Sequence, residues 1–329
     1  MTDAEYTAQH LYHRYLGRNP SDKELLDLVE LGLGYGGYFW PDPRLRTQGP
    51  DVPILTIYSS CHSEQILTYL RTHRPDVLET HSVNIMFTHR LLLCRGRFDL
   101  NLVHAMFGHS DKLLCNLMSK KFDELSTSAL LPHAKSSCQV VSFVPPSFSA
   151  FFPVSKYYGE EPVARGLLDG KTVGQMIREF HDGSFECLFH DRYVKQIERL
   201  KAREEDHDIG LTGFIGKYHK DVKCFFCDNH PAFPIITHVA NLALQRFGFK
   251  AHDDPEHALK VPVNGGNFTN HFPETSYERS FYGFTYPKRF TEDWGGAAAF
   301  YPGVIEDIAK RMTDPAKALE GFVPVELEK

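Results

Sequence analysis

A cysteine stands where a predicted strand gives way to a predicted helix. Residues 53–58 form a short apolar run, Cys61 follows it, and residues 64–72 have the apolar spacing of a helix. The unpaired backbone N–H groups and the positive end of the helix dipole favour a thiolate at such a position. We therefore predict a lowered pKa for Cys61 and a nucleophile on a strand–helix elbow. The alternative is a small residue packed in a tight turn.

A nucleophilic cysteine requires a base that accepts its proton. His230 is the preferred base because it also follows a predicted strand and precedes a predicted helix. That position would bring it to the carboxyl edge of the sheet that carries Cys61. Asp228 is near enough in the chain to orient the imidazole, although a backbone carbonyl would serve as well. His62 is the rival base, and the alternative role for His230 is packing at the start of its helix.

The sequence also suggests a possible metal site, a zinc knuckle. Cys224 and Cys227 have the required spacing, and His230 is close to them in the chain. A closed structural zinc site needs four ligands, often from two such pairs, and this chain has one pair. We therefore predict no metal site.

The composition excludes several classes of protein. With 42% hydrophobic and 24% charged residues, the chain of 329 residues can build a full core. A formal charge of -6 argues against a general nucleic-acid binder. No apolar run approaches the roughly 20 residues of a membrane-spanning helix, and no signal peptide is visible. The seven scattered cysteines suit reduced thiols, so we expect a cytoplasmic protein.

Two helices are predicted before the elbow. Residues 17–20 break the first, and Ser21 with Glu24 resembles a capping box that starts the second. The string 11–20 resembles a small helical module, with the signature Tyr-x-x-x-Leu-Gly-Arg-x-Pro, that is appended to some bacterial glycan-associated proteins. We predict that residues 1–45 form a helical hairpin that docks partners. A Gly- and Pro-rich linker leads from it to an α/β domain over 52–329.

Strands alternate with helices through the middle of the chain. Strands are predicted at 77–83, 111–116, 139–144 and 222–226, and helices at 188–205 and 234–247. This alternation predicts a helix-rich α/β layered core with a mostly parallel sheet, and the end of strand 111–116 is expected to face the site. From about residue 250 an irregular excursion is predicted, with one helix near 303–313.

Three sequence blocks, in their order along the chain, resemble a known family. They are Ser59-Ser60-Cys61-His62, then Leu131-Pro132-His133-Ala134-Lys135 followed by the block 148–153, then Phe225-Phe226-Cys227-Asp228-Asn229-His230-Pro231. Their order and spacing resemble the WcbI-type capsular polysaccharide biosynthesis family over about residues 52–250. In that family the elbow usually reads Gly-Asn-Cys-Gln. Here Ser59 and Ser60 replace Gly-Asn, and His62 replaces Gln.

The resemblance implies an SGNH-like architecture with cysteine at the nucleophile position. It also implies a coenzyme A-dependent acyl- or acetyltransferase, whose partners are a small acyl donor and a sugar acceptor. Cys61 would either carry the acyl group transiently or lie beside the cofactor thiol. The predicted cofactor-binding residues flank the two motifs: Ser59, Ser60, His62, Ser63 and Asn229. One alternative is an SGNH-like esterase or deacetylase. Another is a non-catalytic protein that binds a cofactor or glycan within a polysaccharide assembly.

Coenzyme A carries phosphates, yet the sequence has neither a P-loop nor a dinucleotide-binding glycine motif. Candidates by charge alone are Arg71, Arg74, Lys217 and Lys220. Each of them can equally be a solvated surface residue.

Overall fold

A five-stranded mixed sheet organises the first part of the chain. Its strands are β1 (Phe39–Trp40), β2 (Ile54–Ser59), β3 (Ser82–Phe87), β4 (Lys112–Cys115) and β5 (Gln139–Ser142). They lie in the order β1-β3-β2-β4-β5. β2 to β5 are parallel, and β1 pairs antiparallel with β3. The prediction of a helix-rich α/β fold with a mostly parallel sheet is confirmed.

The structure is a computed structural model that describes residues 1–34, 36–46, 49, 51–155, 159–252, 254, 256–260, 272–286 and 296–320. The α-helices within this part of the chain are α1 (Asp3–Leu16), α2 (Asp22–Asp27), α3 (His62–His73), α4 (Pro75–Thr80), α5 (Thr88–Leu93), α6 (Leu100–His109), α7 (Thr127–Leu130), α8 (Glu161–Leu168), α9 (Val173–Asp182), α10 (Phe189–Glu204), α11 (Thr212–Tyr218), α12 (Phe233–Arg246), α13 (His257–Lys260), α14 (Ser276–Tyr282), α15 (Ala297–Arg311) and α16 (Pro315–Ala318). Among these helices, none is long and apolar enough to cross a membrane.

The chain divides into two compact units. The first comprises residues 1–145, 206–209 and 236–255, and it contains the five-stranded sheet. The second comprises residues 146–205, 210–235 and 256–329, and most of its regular structure is helical. It also holds a two-stranded antiparallel sheet of β6 (Phe225–Cys227) and β7 (His230–Pro231).

β2 is the central strand of the five-stranded sheet. All six of its residues are buried, as are all six of β3, which is the pattern of strands covered on both faces. The pairing of Ser59 with Phe87, and of Tyr58 with Cys115, brings the carboxyl ends of β2, β3 and β4 to one edge. Residues that follow these strands are therefore neighbours.

α1 packs on the same core as the sheet. Ala8, Leu11, Tyr12 and Tyr15 belong to one hydrophobic cluster with residues of β2 and β3, Tyr58 and Met86 among them. The Tyr15 hydroxyl accepts a hydrogen bond of 2.7 Å from Nδ2 of Asn84, a buried residue of β3. The capping box of Ser21 and Glu24 is present as predicted. The proposed boundary after residue 45 stays a prediction.

Two predicted strands are placed differently in the structure. Residues 75–80 form α4 instead of a strand, because Pro75 suits the first turn of a helix, and β3 begins only at Ser82. The predicted strand 222–226 shrinks to β6, which pairs antiparallel with β7 across a two-residue connection. Such a connection returns the chain directly, whereas a parallel partner requires a long crossover. The prediction that this strand belongs to the parallel sheet is therefore wrong.

The late helix predicted near 303–313 is confirmed as α15, which starts earlier, at Ala297. α13, α14 and α16 add short helical segments to the region beyond residue 250. The rest of the predicted excursion, at 261–271, 287–295 and 321–329, lies outside the described residues.

The shared core leads to a prediction about the N-terminal helices. Leu11 is completely buried, so Leu11→Ala should lower the free energy of unfolding by about 2–5 kcal/mol. Leu26 is 54% exposed, and the matched change Leu26→Ala should cost less than about 0.5 kcal/mol. Urea denaturation of both variants measures the difference. If a chain lacking residues 1–45 unfolds at the wild-type midpoint, the N-terminal helices are a separable module and this expectation fails.

Candidate active site

Cys61 lies just beyond the carboxyl end of β2. It occupies the N-cap position of α3, with φ -54° and ψ -17°. The chain leaves β2 to form β3 on one side, while β4 lies on the other side. This is the switch point at which open α/β sheets bind their ligands. The predicted strand–helix elbow is therefore present, and it lies at the edge of the sheet that is suited to chemistry.

Asn116 fixes the strands on which the elbow is built. It follows β4, is 2% exposed, and its Nδ2 donates a hydrogen bond of 2.9 Å to the carbonyl of Phe143. The Ser59 hydroxyl at the end of β2 donates to Oδ1 of Asn116, and Thr127 Oγ1 donates to its backbone oxygen at 2.9 Å. Ser59 is fully buried, so we assign its side chain this structural role rather than the cofactor contact predicted from the sequence.

Asn116 is a residue that the sequence analysis did not assign. The signal was present, since a polar residue directly follows a short apolar strand, as Cys61 follows β2. The residue type of Asn116 does not show by itself whether its amide binds neighbouring strand ends or a ligand.

The side chains on either side of Cys61 contact each other. Ser60 Oγ lies 2.8 Å from Nδ1 of His62 and 3.9 Å from Sγ of Cys61. His62 is 4% exposed, whereas Ser60 and Cys61 are half-buried. The Ser60 hydroxyl therefore contacts both the sulfur and the imidazole.

The pKa of the Cys61 thiol is raised above its ordinary value, so the prediction of a lowered pKa is wrong for the free protein. The main cause is burial, which disfavours the thiolate, and the negative charge of Glu64 adds to it. Contacts with Ser60 and with the backbone N–H of Cys61, together with the charge of Arg90, act in the opposite direction and are outweighed. Cys61 is therefore protonated near neutral pH.

The backbone of the first turn of α3 is already hydrogen-bonded. The N–H of Ser63 donates to the Ser60 carbonyl at 3.1 Å, and that of Glu64 donates to the Cys61 carbonyl at 3.3 Å. These two N–H groups are therefore not among the unpaired ones that were expected to favour a thiolate. The Ser63 side chain is completely buried, and its hydroxyl has no hydrogen-bond partner within the described part of the chain.

His230 belongs to the second unit, in the hairpin of β6 and β7. Its Nδ1 lies 2.7 Å from Oδ1 of Asn229 and 3.0 Å from Sγ of Cys227. Because an amide oxygen only accepts, this network assigns the proton to Nδ1 and the basic lone pair to Nε2. Burial lowers the pKa of His230, so the imidazole is neutral near pH 7 and is able to accept a proton.

Asp228 has contacts that differ from those predicted for it. It is completely buried, and its carboxylate accepts a hydrogen bond from the Ser155 hydroxyl. Its backbone carbonyl accepts from the N–H of Phe148 at 2.7 Å. The contact that orients the His230 ring on its Nδ1 side comes from Asn229, which had been predicted to bind the cofactor.

Cys61 and His230 lie in different compact units. The argument that both follow strands of one sheet is wrong, because β6 belongs to the two-stranded sheet with β7. The pairing of the two residues stays a prediction.

The residues around Cys224 do not form the geometry of a zinc knuckle. The Cys224 thiol lies 3.6 Å from the carbonyl of Val222, while Cys227 contacts His230. Within the described ranges, no group of three or more His, Cys, Asp or Glu side chains could hold a metal ion.

Of the predicted phosphate partners, Arg71 borders a cavity. Its guanidinium lies 5.1 Å from the ring centroid of Trp40, and both residues line a cavity of about 270 Å³. Leu67, Leu78 and Val83 contribute apolar lining. Arg74, in contrast, is buried and paired with Asp76, whereas Lys217 lies 4.6 Å from the Tyr218 ring. The remaining candidate, Lys220, accepts a backbone hydrogen bond from Thr285 through its carbonyl.

The fold and the site define an α/β protein with a cysteine at the carboxyl end of its central strand. The family described as "Polysaccharide biosynthesis enzyme WcbI" matches residues 54–252. That range spans more than half of the chain and includes both the elbow and the block that ends at Pro231. The chain belongs to the WcbI family of polysaccharide biosynthesis enzymes, and the resemblance stated from the sequence is confirmed.

A solved structure of a WcbI protein is similar to this chain. It is described as the native protein without a disulfide bond between coenzyme A and one of its cysteines. The two share 15% sequence identity, with 83% of this chain and 99% of that chain covered and a TM-score of 0.49. No curated protein matches the chain.

The raised pKa of Cys61 leads to a prediction about its reactivity. Only the thiolate is alkylated, so the rate of iodoacetamide labelling in the free protein should be low at pH 7 and still rise above pH 9. Mass spectrometry of the Cys61 peptide across a pH series measures this profile. The same peptide in urea-unfolded protein is the control and should titrate near its ordinary value of about 8.5. A rate that levels off below pH 7.5 in the folded protein would contradict the expectation.

Proposed function

We propose that the protein transfers an acyl group from a coenzyme A thioester to a hydroxyl of a glycan or glycan precursor. The observation that carries the proposal is Cys61 at the switch point of the sheet, beside a hydroxyl and an imidazole. Family membership gives an enzyme of polysaccharide biosynthesis. The choice of coenzyme A comes from the family resemblance, and the elbow supplies the thiol chemistry that such a donor requires.

The transfer proceeds in two steps. The sulfur of Cys61 attacks the thioester carbonyl, its proton passes to a base, and the coenzyme thiolate leaves and is protonated. The sugar hydroxyl then attacks the acyl-cysteine, loses its proton to the base, and releases the Cys61 thiol. This division replaces one difficult substitution by two easier ones. Transfer to water in the second step would make the protein an esterase, which is the competing assignment.

Two further parts of the proposal concern architecture and location. The order β3-β2-β4-β5, with the cysteine two residues beyond the end of β2, supports an SGNH-like layering of the first unit. We propose a cytoplasmic location, because an acyl-coenzyme A donor is used there and the chain's thiols suit a reducing compartment.

We place the nucleotide end of the donor near the cavity that Trp40 and Arg71 line. Arg71 follows Cys61 by ten residues, most of them in α3, and ten helical residues span about 15 Å. A long, flexible donor arm can bridge such a separation. The indole of Trp40 and the apolar lining suit a flat base, and the exposed guanidinium of Arg71 suits a phosphate.

Coenzyme A binding is the first test of the function. At one hundred times its dissociation constant, coenzyme A should raise the free energy of unfolding by about 2.7 kcal/mol. Cys61→Ser should abolish turnover of acetyl-coenzyme A with a glycan acceptor while coenzyme A still binds. Cys138→Ser is the matched control, since Cys138 is also half-buried but lies at the amino end of β5. Absence of both a melting shift and calorimetric heat at millimolar coenzyme A would remove the transferase assignment.

The position of the nucleotide is tested separately. Arg71→Ala should weaken coenzyme A binding by about tenfold or more, because a hydrogen bond to a charged group contributes about 1.5–3 kcal/mol and each 1.4 kcal/mol is about tenfold in affinity. Binding of pantetheine, which lacks the nucleotide, should not change. The exposed Arg178 in the second unit provides the control change Arg178→Ala. Equal affinities of the Arg71 and Arg178 variants would move the nucleotide to another surface.

A further inference from the structure

The elbow contains a hydroxyl that contacts two groups able to exchange a proton. Ser60 Oγ is 3.9 Å from Sγ of Cys61 and 2.8 Å from Nδ1 of His62. A serine hydroxyl has one donor and two acceptor sites, so it can accept from the thiol while it donates to the imidazole. The three side chains therefore lie in the order thiol, hydroxyl, imidazole.

The contact arises from the place of the three residues at the start of α3. Residues two apart within a helix do not face each other. Ser60, however, precedes the helix, Cys61 is its N-cap and His62 is its first residue. The His62 ring is almost fully buried, so packing holds it in place, whereas Ser60 and Cys61 remain accessible from outside.

Because the Cys61 thiol is protonated, the Ser60 hydroxyl and the His62 imidazole have a function as its proton acceptors. Cys61 is not ionised near neutral pH, so its sulfur needs a proton acceptor when it attacks. The charged groups that act on the thiol are Glu64 of α3 and Arg90 of α5, with opposite effects. Neither of them is a base suited to neutral pH, because an arginine stays protonated and a carboxylate is a weak proton acceptor.

We infer that Ser60 and His62 form a proton relay for Cys61, with Ser60 as a catalytic residue and His62 as the positioning residue that receives the proton. This inference rests on the proposed function. As the Cys61 sulfur bonds to the acyl carbon, its proton moves to Ser60 Oγ, and the Ser60 proton moves to Nδ1 of His62. The thioester C–S bond breaks, and the coenzyme thiolate recovers the proton from the imidazolium by the reverse route.

The elbow sequence is consistent with this relay. The two positions flanking the cysteine differ from the Asn and Gln usual in the family, and the residues found there are the two in contact. An Asn and a Gln would provide amides, which do not accept a proton near neutral pH. The relay therefore belongs to this chain rather than to the family motif in general.

The experiment compares the pH dependence of Cys61 alkylation in single and double variants. Ser60→Ala and His62→Gln should each slow iodoacetamide labelling at pH 7 by roughly 10²-fold, the usual contribution of a general base. Ser60→Thr keeps the hydroxyl and should restore most of the rate. At pH 10 all variants should label at similar rates, because hydroxide then removes the proton. A purely structural defect would not disappear at high pH.

The double variant provides the decisive comparison. Because both residues act through one relay, Ser60→Ala combined with His62→Gln should be no slower than either single change. Additive losses, or single variants that label at the wild-type rate at pH 7, would overturn the relay. A loss of labelling rate in His230→Ala that exceeds the loss in His62→Gln would overturn the relay and assign the base to His230.

Failure of the relay and failure of the proposed function can be told apart. The alkylation assay needs no coenzyme A, so a confirmed relay without acyl transfer would contradict the function alone. Wild-type transfer by the Ser60→Ala variant would contradict the relay alone. Thermal unfolding of each variant verifies that it is folded, and His62→Gln, which removes the proton acceptor of the relay, provides the test if the alanine variant does not fold.

Discussion

The geometry of the elbow depends on the hydrogen bonds of one buried amide. Asn116 accepts from Ser59 at the end of β2 and donates to Phe143 just after β5, while its own strand, β4, lies between them. A buried amide left without these partners would cost about 1–3 kcal/mol for each unsatisfied group. These bonds hold the ends of β2, β4 and β5 together, and Cys61 lies just beyond the end of β2.

The charge state of Cys61 shows which of two opposing effects is larger. A position at the start of a helix stabilises a thiolate, and burial destabilises it. Here burial prevails, because desolvation is the main influence on the thiol and the first-turn N–H groups of Ser63 and Glu64 donate to backbone carbonyls. The reactivity of the site therefore depends on proton acceptors close to the sulfur rather than on a permanently ionised thiol.

Local patterns predicted the elements that carry the site. The apolar run of β2, the amphipathic spacing of α3 and the short strand β4 follow from residue types within a few positions of each other. The hairpin of β6 and β7 was missed because Asp228 and Asn229 mark a break without specifying whether the chain returns or crosses over. The same limit applies to Asp228, whose carboxylate accepts from Ser155, 73 residues away in the chain. The contact between Ser60 and His62 was not predicted, because it depends on backbone angles at Cys61 that residue types do not disclose.

The protonated state of Cys61 also determines how the elbow withstands oxidants. Peroxides and disulfides react with the thiolate, so a thiol with a raised pKa is attacked slowly while the protein is idle. Transient removal of the proton during a reaction limits the time for which the sulfur is vulnerable. A permanently ionised cysteine at the same position would be exposed to sulfenic acid formation between turnovers. The burial that slows the chemistry of the resting thiol thus preserves the sulfur in its reduced form.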